Sequence, residues 1–382
     1  MLLIPGAAAA QSQTTAGADI YGNGGYSTRA AGLAAGEATG YVFGGVRPEV
    51  EIRSNRMTIG LDGEAQFYKY FKNSKVDQNY LAHANLANQF SAGTSGTLEF
   101  RFTDRILNRF GNLSGDSTAT DGGDAALLGS RTRRQVIFLN GGLTSRLSER
   151  NSLSVTAFWE DSNYQSATTV GNPSNLNSYG GSLGFERQTT EHVKLGVQAH
   201  YLHSLFDDPR IPESQAIGGA GTFDIIFDPR WTLKGALGGT YRDLTAQLPN
   251  TPSEDDFLFT GNVSLCYKTE RTNLCVHGSR AVGASGASGS ALEGNLGGSF
   301  STRLSEHGTL NADVSYFRSS KSTTNANDRQ YVSATLGYAH RLAERLYLSS
   351  STFYRKSISD TNAQGDDYGV EAGLKYRIGV LQ

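Results

Sequence analysis

One short polar connector returns along this chain about every 40 residues. It reads Arg146-Leu147-Ser148-Glu149-Arg150, Gln188-Thr189-Thr190-Glu191-His192, Lys268-Thr269-Glu270-Arg271, Arg303-Leu304-Ser305-Glu306-His307 and Arg341-Leu342-Ala343-Glu344-Arg345. Asp228-Pro229-Arg230 stands between the second and the third. Self-similarity at a fixed period sets architecture before any single motif does.

Between connectors, two long runs alternate large apolar with small or polar residues, separated by a looser Gly/Ser/Asn/Asp stretch. In Ala291–Leu304, Leu292, Gly294, Leu296, Gly298, Phe300, Thr302 and Leu304 share one face, and Glu293, Asn295, Ser299, Ser301 and Arg303 the other. Period-two alternation makes a β-strand with different surroundings on its two sides. A propeller blade of this length would hold four short strands, so two long ones per period give tall hairpins. A membrane-crossing strand needs about 9–11 residues, which these runs meet. Eighteen strands are expected, at 17–28, 40–53, 56–71, 77–91, 96–109, 132–146, 152–165, 177–189, 193–205, 214–228, 231–245, 256–269, 273–285, 290–304, 308–320, 328–342, 345–358 and 367–379, with sixteen as the fallback.

The fold class expected is therefore all-β: a transmembrane antiparallel up-and-down barrel over residues 17–382, both termini on the periplasmic side. Glycine fills 46 positions and proline 8, and 18 Tyr and 18 Phe stand against 2 Trp. No apolar run reaches the roughly 18 residues of a membrane helix. A net charge of −2 without a basic stripe gives no footprint for nucleic acid. Met1–Gln11, with an Ala-x-Ala site before Gln11, resembles the end of a secretory signal, so residues 1–16 are read as a residual leader or flexible N-terminus. Connections alternate short and long, and Gly111–Arg131 is long enough either to project outside or to fold inward as a constriction.

The apolar face falls to Leu98, Phe100, Phe102 and Ile106; to Leu153, Val155, Ala157 and Trp159; to Leu233, Leu237 and Tyr241; and to Tyr368, Val370, Leu374, Tyr376 and Ile378. Phe67, Tyr68, Tyr70, Phe71, Phe353 and Tyr354 crowd strand ends, where an interfacial aromatic girdle is expected. The opposite face is charged. Its cations are Arg47, Arg53, Arg101, Arg105, Arg109, Lys194, Lys234, Arg242, Lys268, Arg303, Lys375 and Arg377. Its anions are Glu49, Glu51, Asp62, Glu64, Glu99, Glu160, Glu186, Asp224, Glu293, Asp313 and Glu371. A charge facing lipid costs about 2–4 kcal/mol near the midplane, so the alternation assigns these residues to a polar bore. Twelve cations against eleven anions argue against a strongly ion-selective pore. They either line a hydrated channel or pair across a narrow one.

Cys266 and Cys275 flank the Glu270-Arg271 turn symmetrically and face the bore. Directly opposed antiparallel positions bring their Cβ atoms within bonding reach, and an oxidising compartment favours a disulfide. No third and fourth ligand is spaced nearby for a metal. The seven His residues are scattered, and no nucleophile elbow, zinc motif or phosphate loop occurs, so neither an enzyme nor a cofactor is expected.

Tyr21-Gly22-Asn23-Gly24-Gly25-Tyr26-Ser27-Thr28, the tall hairpins and the Arg-Leu-Ser-Glu-Arg turn resemble the β-barrel porin 2 type of outer-membrane protein. That resemblance, spanning most of 17–382, implies a barrel associated with exopolysaccharide export. Its expected partners are outer-membrane lipid, the barrel-assembly machinery and periplasmic polysaccharide-export components. The expected solute is a polysaccharide or sugar moving passively through the bore. A general small-solute porin, or a surface barrel acting through its external loops, is the alternative.

Overall fold

A backbone that alternates its side chains leaves its N–H and C=O groups pointing sideways, and among the described residues nearly every such edge finds a neighbouring strand. A computed structural model describes residues 12–29, 37–72, 76–107, 132–165, 173–248, 253–286, 289–320, 323, 329–358 and 366–379. The described chain is strand and tight turn. The strands are β1 Gln13–Ser27, β2 Thr39–Arg53, β3 Met57–Tyr70, β4 Val76–Ser91, β5 Thr94–Ile106, β6 Arg133–Arg146, β7 Asn151–Gln165, β8 Leu176–Gln188 and β9 Val193–Phe206. They continue with β10 Glu213–Ile226, β11 Trp231–Thr245, β12 Glu254–Lys268, β13 Thr272–Ser285, β14 Gly289–Arg303, β15 Gly308–Ser320, β16 Arg329–Ala343, β17 Leu346–Ser357 and β18 Asp367–Gly379. Each pairs antiparallel with its sequence neighbours, and β18 pairs with β1, so the 18-stranded sheet closes on itself.

The expected strands match these within a few residues, with one informative exception. β1 begins at Gln13, inside the segment read as a leader, because Gln13–Ala16 pair with Arg53–Val50 of β2. A strand as long as β2 needs a partner along its whole length, and only the upstream residues supply one. Residues 1–11, Arg109 and the 111–131 connection lie outside the described residues.

Four of the six recurring connectors share one local geometry. The N–H groups of Leu147, Thr189, Phe227 and Leu304 donate to the carbonyls of Asn151, Val193, Trp231 and Gly308 at 2.9–3.1 Å. The side-chain oxygens of Ser148, Thr190, Asp228 and Ser305 accept from the N–H two residues on, at 3.3, 3.2, 2.7 and 3.3 Å. These are the Asx- and Ser/Thr-type turns that such residues favour. The last residue of each connector then accepts from the next hairpin: Arg150 from Gln188, His192 from Ile226, Arg230 from Lys268 and His307 from Arg341, at 2.7–2.8 Å. The sequence repeat is thus the signature of a hydrogen-bonded rim at the turn end of the barrel.

The outer face carries exposed Val42, Leu61, Leu98, Leu139, Leu183, Val197, Leu237, Leu296, Val314, Leu336 and Val370. The expected apolar series on the fifth, seventh, eleventh and eighteenth strands falls on it. The aromatic girdle needs correction. Phe67 and Phe71 are exposed outside, but Tyr68, Tyr70 and Phe353 point inward and pack with Tyr41 and Phe43 into a buried cluster. Neighbouring residues in a strand face opposite ways, so a run of aromatics at a strand end divides between the two sides.

One seam interrupts the wall. β12 and β13 pair only from the turn up to Gly261 opposite Arg280, although β12 continues to Glu254 and β13 to Ser285. Above that point the β13–β14 hairpin leaves the wall and enters the mouth of the barrel. Its small residues (Ala281, Gly283, Ala284, Ser285, Gly286, Ser290 and Ala291) make it thin enough to do so. Ala284 packs on Leu176, Phe206 and Ile211. The Ser174 N–H donates to the Gly286 carbonyl at 2.9 Å, the Gly286 N–H donates to Tyr164 Oη at 3.3 Å, and Ser214 Oγ donates to Ser290 Oγ at 2.9 Å. Leu292, expected on the outer face, is consequently buried.

The disulfide sits below this seam. Cys266 and Cys275 are opposed in register and bonded, with Cα atoms 4.1 Å apart. The strand pair with the shortest ladder is therefore the one that carries a covalent staple. Replacing both cysteines by serine is expected to lower unfolding stability by about 2 kcal/mol, the low end for closing so short a loop. Urea titration in micelles, followed by heat-dependent gel mobility, measures it, and a reductant should reproduce the loss in the unaltered protein.

Candidate functional site: the charged inner wall

Alternation places the charged residues on the face opposite the exposed apolar series, and cross-strand register decides which of them meet. On β18, β1 and β2, Arg377, Asp19 and Arg47 lie in one ladder row. Asp19 accepts from Arg377 at 3.2 Å and lies 3.5 Å from Lys375, while Arg377 also reaches Glu49. Arg47 bonds Glu64 at 3.0 Å, and Glu64 further accepts from the Tyr21 hydroxyl at 2.5 Å and from Gln66 at 2.8 Å. A second row runs Glu49, Asp62, His83, Arg101 across β2 to β5. His83 lies 2.8 Å from Asp62 and 3.6 Å from Glu99, and Arg101 stacks over Phe138 at 4.8 Å. On the neighbouring strands β10 and β11, Lys234 meets Asp224 at 2.9 Å, with Lys194 of β9 opposite Asp224 in register.

These rows lie toward the turn end and range from nearly buried Asp19 and Glu64 to half-exposed Asp62 and Lys375. Toward the loop end the same inner face is closely packed. Arg134 meets Glu160 at 2.8 Å and Ser162 at 3.0 Å, with side chains only 3% and 6% exposed for the ion pair. Arg242 forks onto Asp256 at 3.0 and 3.1 Å and donates to the Ser290 carbonyl of the inserted hairpin at 3.3 Å. The Tyr41 hydroxyl donates to Glu371, and Arg355 stacks over Phe353 at 4.6 Å. Leu258 and Thr260 of β12 are buried beside the seam. The interior therefore grades from a more open, charged vestibule to a dense mouth.

The short loop between β9 and β10 helps to fix that mouth. Asp208 accepts from the Arg210 side chain at 2.6–3.1 Å and from its backbone N–H at 3.0 Å. The guanidinium beside it holds the Asp208 carboxyl below the usual carboxylate range. This turn presents Ile211 to the inserted hairpin. At its apex Gly286 leaves no room for a Cβ, which would lie 2.1 Å from the Ser174 carbonyl oxygen, and Gly289 adopts φ 63°, a left-handed value that favours glycine.

Of the expected bore residues, Glu51 and Arg53 pair with each other near the rim, and Arg105 stands opposite Arg134. Glu186, Glu293, Arg303 and Asp313 share the inner face by alternation with their strands. Asp19, His83, Arg134 and Arg355 belong to the inner networks and are absent from the expected set. β1 alternates weakly around Asp19. Arg133 and Arg134 are adjacent, so charge type alone could not say which faces in; Arg133 turns out, onto Asp104 at 2.5 Å. Among the described residues no group of His, Cys, Asp and Glu is placed to hold a metal ion.

No protein-family model matches the chain, and no curated protein matches it. Among solved structures it is similar to OccAB4 of Acinetobacter baumannii, at 13% identity and TM-score 0.45, over 96% of this chain and 99% of that one. It is similar also to OprD of Pseudomonas aeruginosa, at 10% identity and TM-score 0.45, over 98% of each chain. A third, the FrpB iron transporter from Neisseria meningitidis, has 12% identity and TM-score 0.48, over 92% of this chain and 64% of that one. At such values the likeness is confined to general barrel form.

Burial separates the ion pairs by energetic weight. Glu160→Ala, which strands a buried arginine, is expected to cost about 3 kcal/mol. Glu51→Ala, at an exposed pair, should change stability by less than about 1 kcal/mol. Paired urea titrations compare the two.

Proposed function

We propose that this barrel is an outer-membrane channel for small polar solutes, its termini and turn end facing the periplasm. The supporting observation is the contrast between its faces. The outer wall is predominantly apolar over the height of the strands, and the inner wall is charged in both signs with carboxylates, guanidinium groups and hydroxyls. Closure satisfies the backbone over most of the wall without water, which a lipid-embedded sheet requires. Mixed charge offers weak contacts at many points, which lets a solute enter and leave.

The polymer route implied by the resemblance to the β-barrel porin 2 type is less favoured by the geometry. A sugar polymer needs a continuous wide passage, whereas the β13–β14 hairpin stands in the mouth and bonds to β7, β10 and β11. A small solute needs only the space beside it. Single-channel recording in planar bilayers with added mono- and oligosaccharides tests the reading. Stable conductance steps blocked or slowed by small sugars are expected; a folded barrel that never conducts would overturn it. Gly286→Val, whose side chain collides with the Ser174 carbonyl, should displace the hairpin and roughly double the conductance.

A further inference from the structure

We infer that the β13–β14 hairpin is a gate with a second position in the barrel wall, zipped onto the free edge of β12. This rests on the reading of the barrel as a channel. Phe257, Leu258, Phe259 and Thr260 of β12 are ladder-paired to β11 alone among the described residues. Below them β12 and β13 pair in unbroken register from Lys268 opposite Asn273 to Gly261 opposite Arg280. Continued upward, that register sets Thr260 against Ala281, Phe259 against Val282, Leu258 against Gly283 and Phe257 against Ala284. Both strands stay extended through these residues, so pairing them requires no change of backbone conformation.

The side chains fit the second position. Even-numbered residues of β13 face out, as exposed Leu274 and Val276 do. In the wall, Val282 and Ala284 therefore present an apolar face to lipid, while Ala281 and Gly283 face the bore. Phe257 and Phe259 are 74% and 58% exposed on the outer face, with no cross-strand neighbour on the β13 side. Val282 and Ala284 become that neighbour. In the mouth, Ala284 packs instead on Leu176, Phe206 and Ile211. The hairpin has one apolar face and two apolar surroundings for it.

The polar contacts exchange as readily. Leaving the mouth breaks the bonds of Ser174 and Tyr164 to Gly286, and those of Ser214 and Arg242 to Ser290. Arg242 keeps its fork onto Asp256, so no buried charge is stranded. In return the β12 edge gains a partner, which a wall in lipid favours. Such an exchange of a few hydrogen bonds keeps the two positions close in energy, as a switch requires. The Cys266–Cys275 bond lies below the seam and holds the register, so the strands above it rejoin in step. Inserted, the hairpin narrows the mouth and leaves the wall parted; zipped, it seals the wall and widens the mouth.

Pairs of introduced cysteines in the full barrel test this, with folding verified by heat-dependent gel mobility and cross-links mapped by peptide mass spectrometry. Leu258→Cys with Gly283→Cys locks the wall position, because the extended register opposes these residues at the same kind of ladder site as Cys266 and Cys275. Ser214→Cys with Ser290→Cys locks the mouth position, since the two hydroxyl oxygens lie 2.9 Å apart. Both pairs are expected to cross-link under mild oxidant. Single-channel conductance should be about twofold higher in the wall lock than in the mouth lock. Phe257→Cys with Ala284→Cys, on the other face of the same extension, serves as the wall lock if the Leu258 variant does not fold. A folded wall-lock barrel that stays uncross-linked while the mouth lock forms would overturn the inference. So would two cross-linked, conducting barrels of equal conductance. Cross-linking of both pairs in a barrel that never conducts would uphold the two positions and overturn the channel reading, so the two failures are distinct.

Discussion

Closure of the sheet between β1 and β18 is the constraint on which everything else depends. The pairing runs from Gly17 opposite Gly379 to Ser27 opposite Gly369 and leaves the first and last strands without an open edge. An unpaired backbone amide in an apolar surrounding costs several kcal/mol, so a sheet of this kind is stable only as a ring. The ring separates two faces, and each strand must then supply both an apolar and a polar series. The low aliphatic content and the dense alternation of charge follow from that requirement.

The same constraint makes the β12–β13 seam the informative departure. Edges left unpaired above Gly261 and Arg280 are tolerated because the β13–β14 hairpin spends its hydrogen bonds elsewhere, on Ser174, Tyr164, Ser214 and Arg242. The disulfide just below holds the two strands where their ladder is shortest. Opening of the wall, narrowing of the mouth and the covalent staple are parts of one arrangement.

The ion pairs divide by the same geometry. Near the turn end the solvent-reaching pairs such as Lys234–Asp224 are screened and tune the field of the vestibule more than the stability of the barrel, whereas Asp19 is buried among its arginine and lysine partners. Near the mouth, Arg134–Glu160 and Arg242–Asp256 are desolvated and hydrogen-bonded to neighbours, so they fix the positions of the strands and the hairpin that they join.

Alternation and the repeated turn were sufficient to determine strand number, strand order and the faces of most charged residues, because period two admits one solution for each strand and the connectors recur with each hairpin. Opposition of Cys266 and Cys275 was legible for the same reason, since their equal distance from a turn fixes their register. Three things were decided only by the tertiary structure. Gln13–Ala16 became strand because β2 needed a partner, a demand made thirty residues or more away in sequence. Tyr68, Tyr70 and Phe353 fall inward by alternation, but their burial with Tyr41 and Phe43 as a core of the mouth came from packing across strands, which composition does not announce. The β13–β14 hairpin left the wall through contacts with β7, β10 and β11 that are distant in sequence; locally it reads as two ordinary strands. A strand pattern says which side of the wall a residue faces, and long-range packing alone says whether the wall is there.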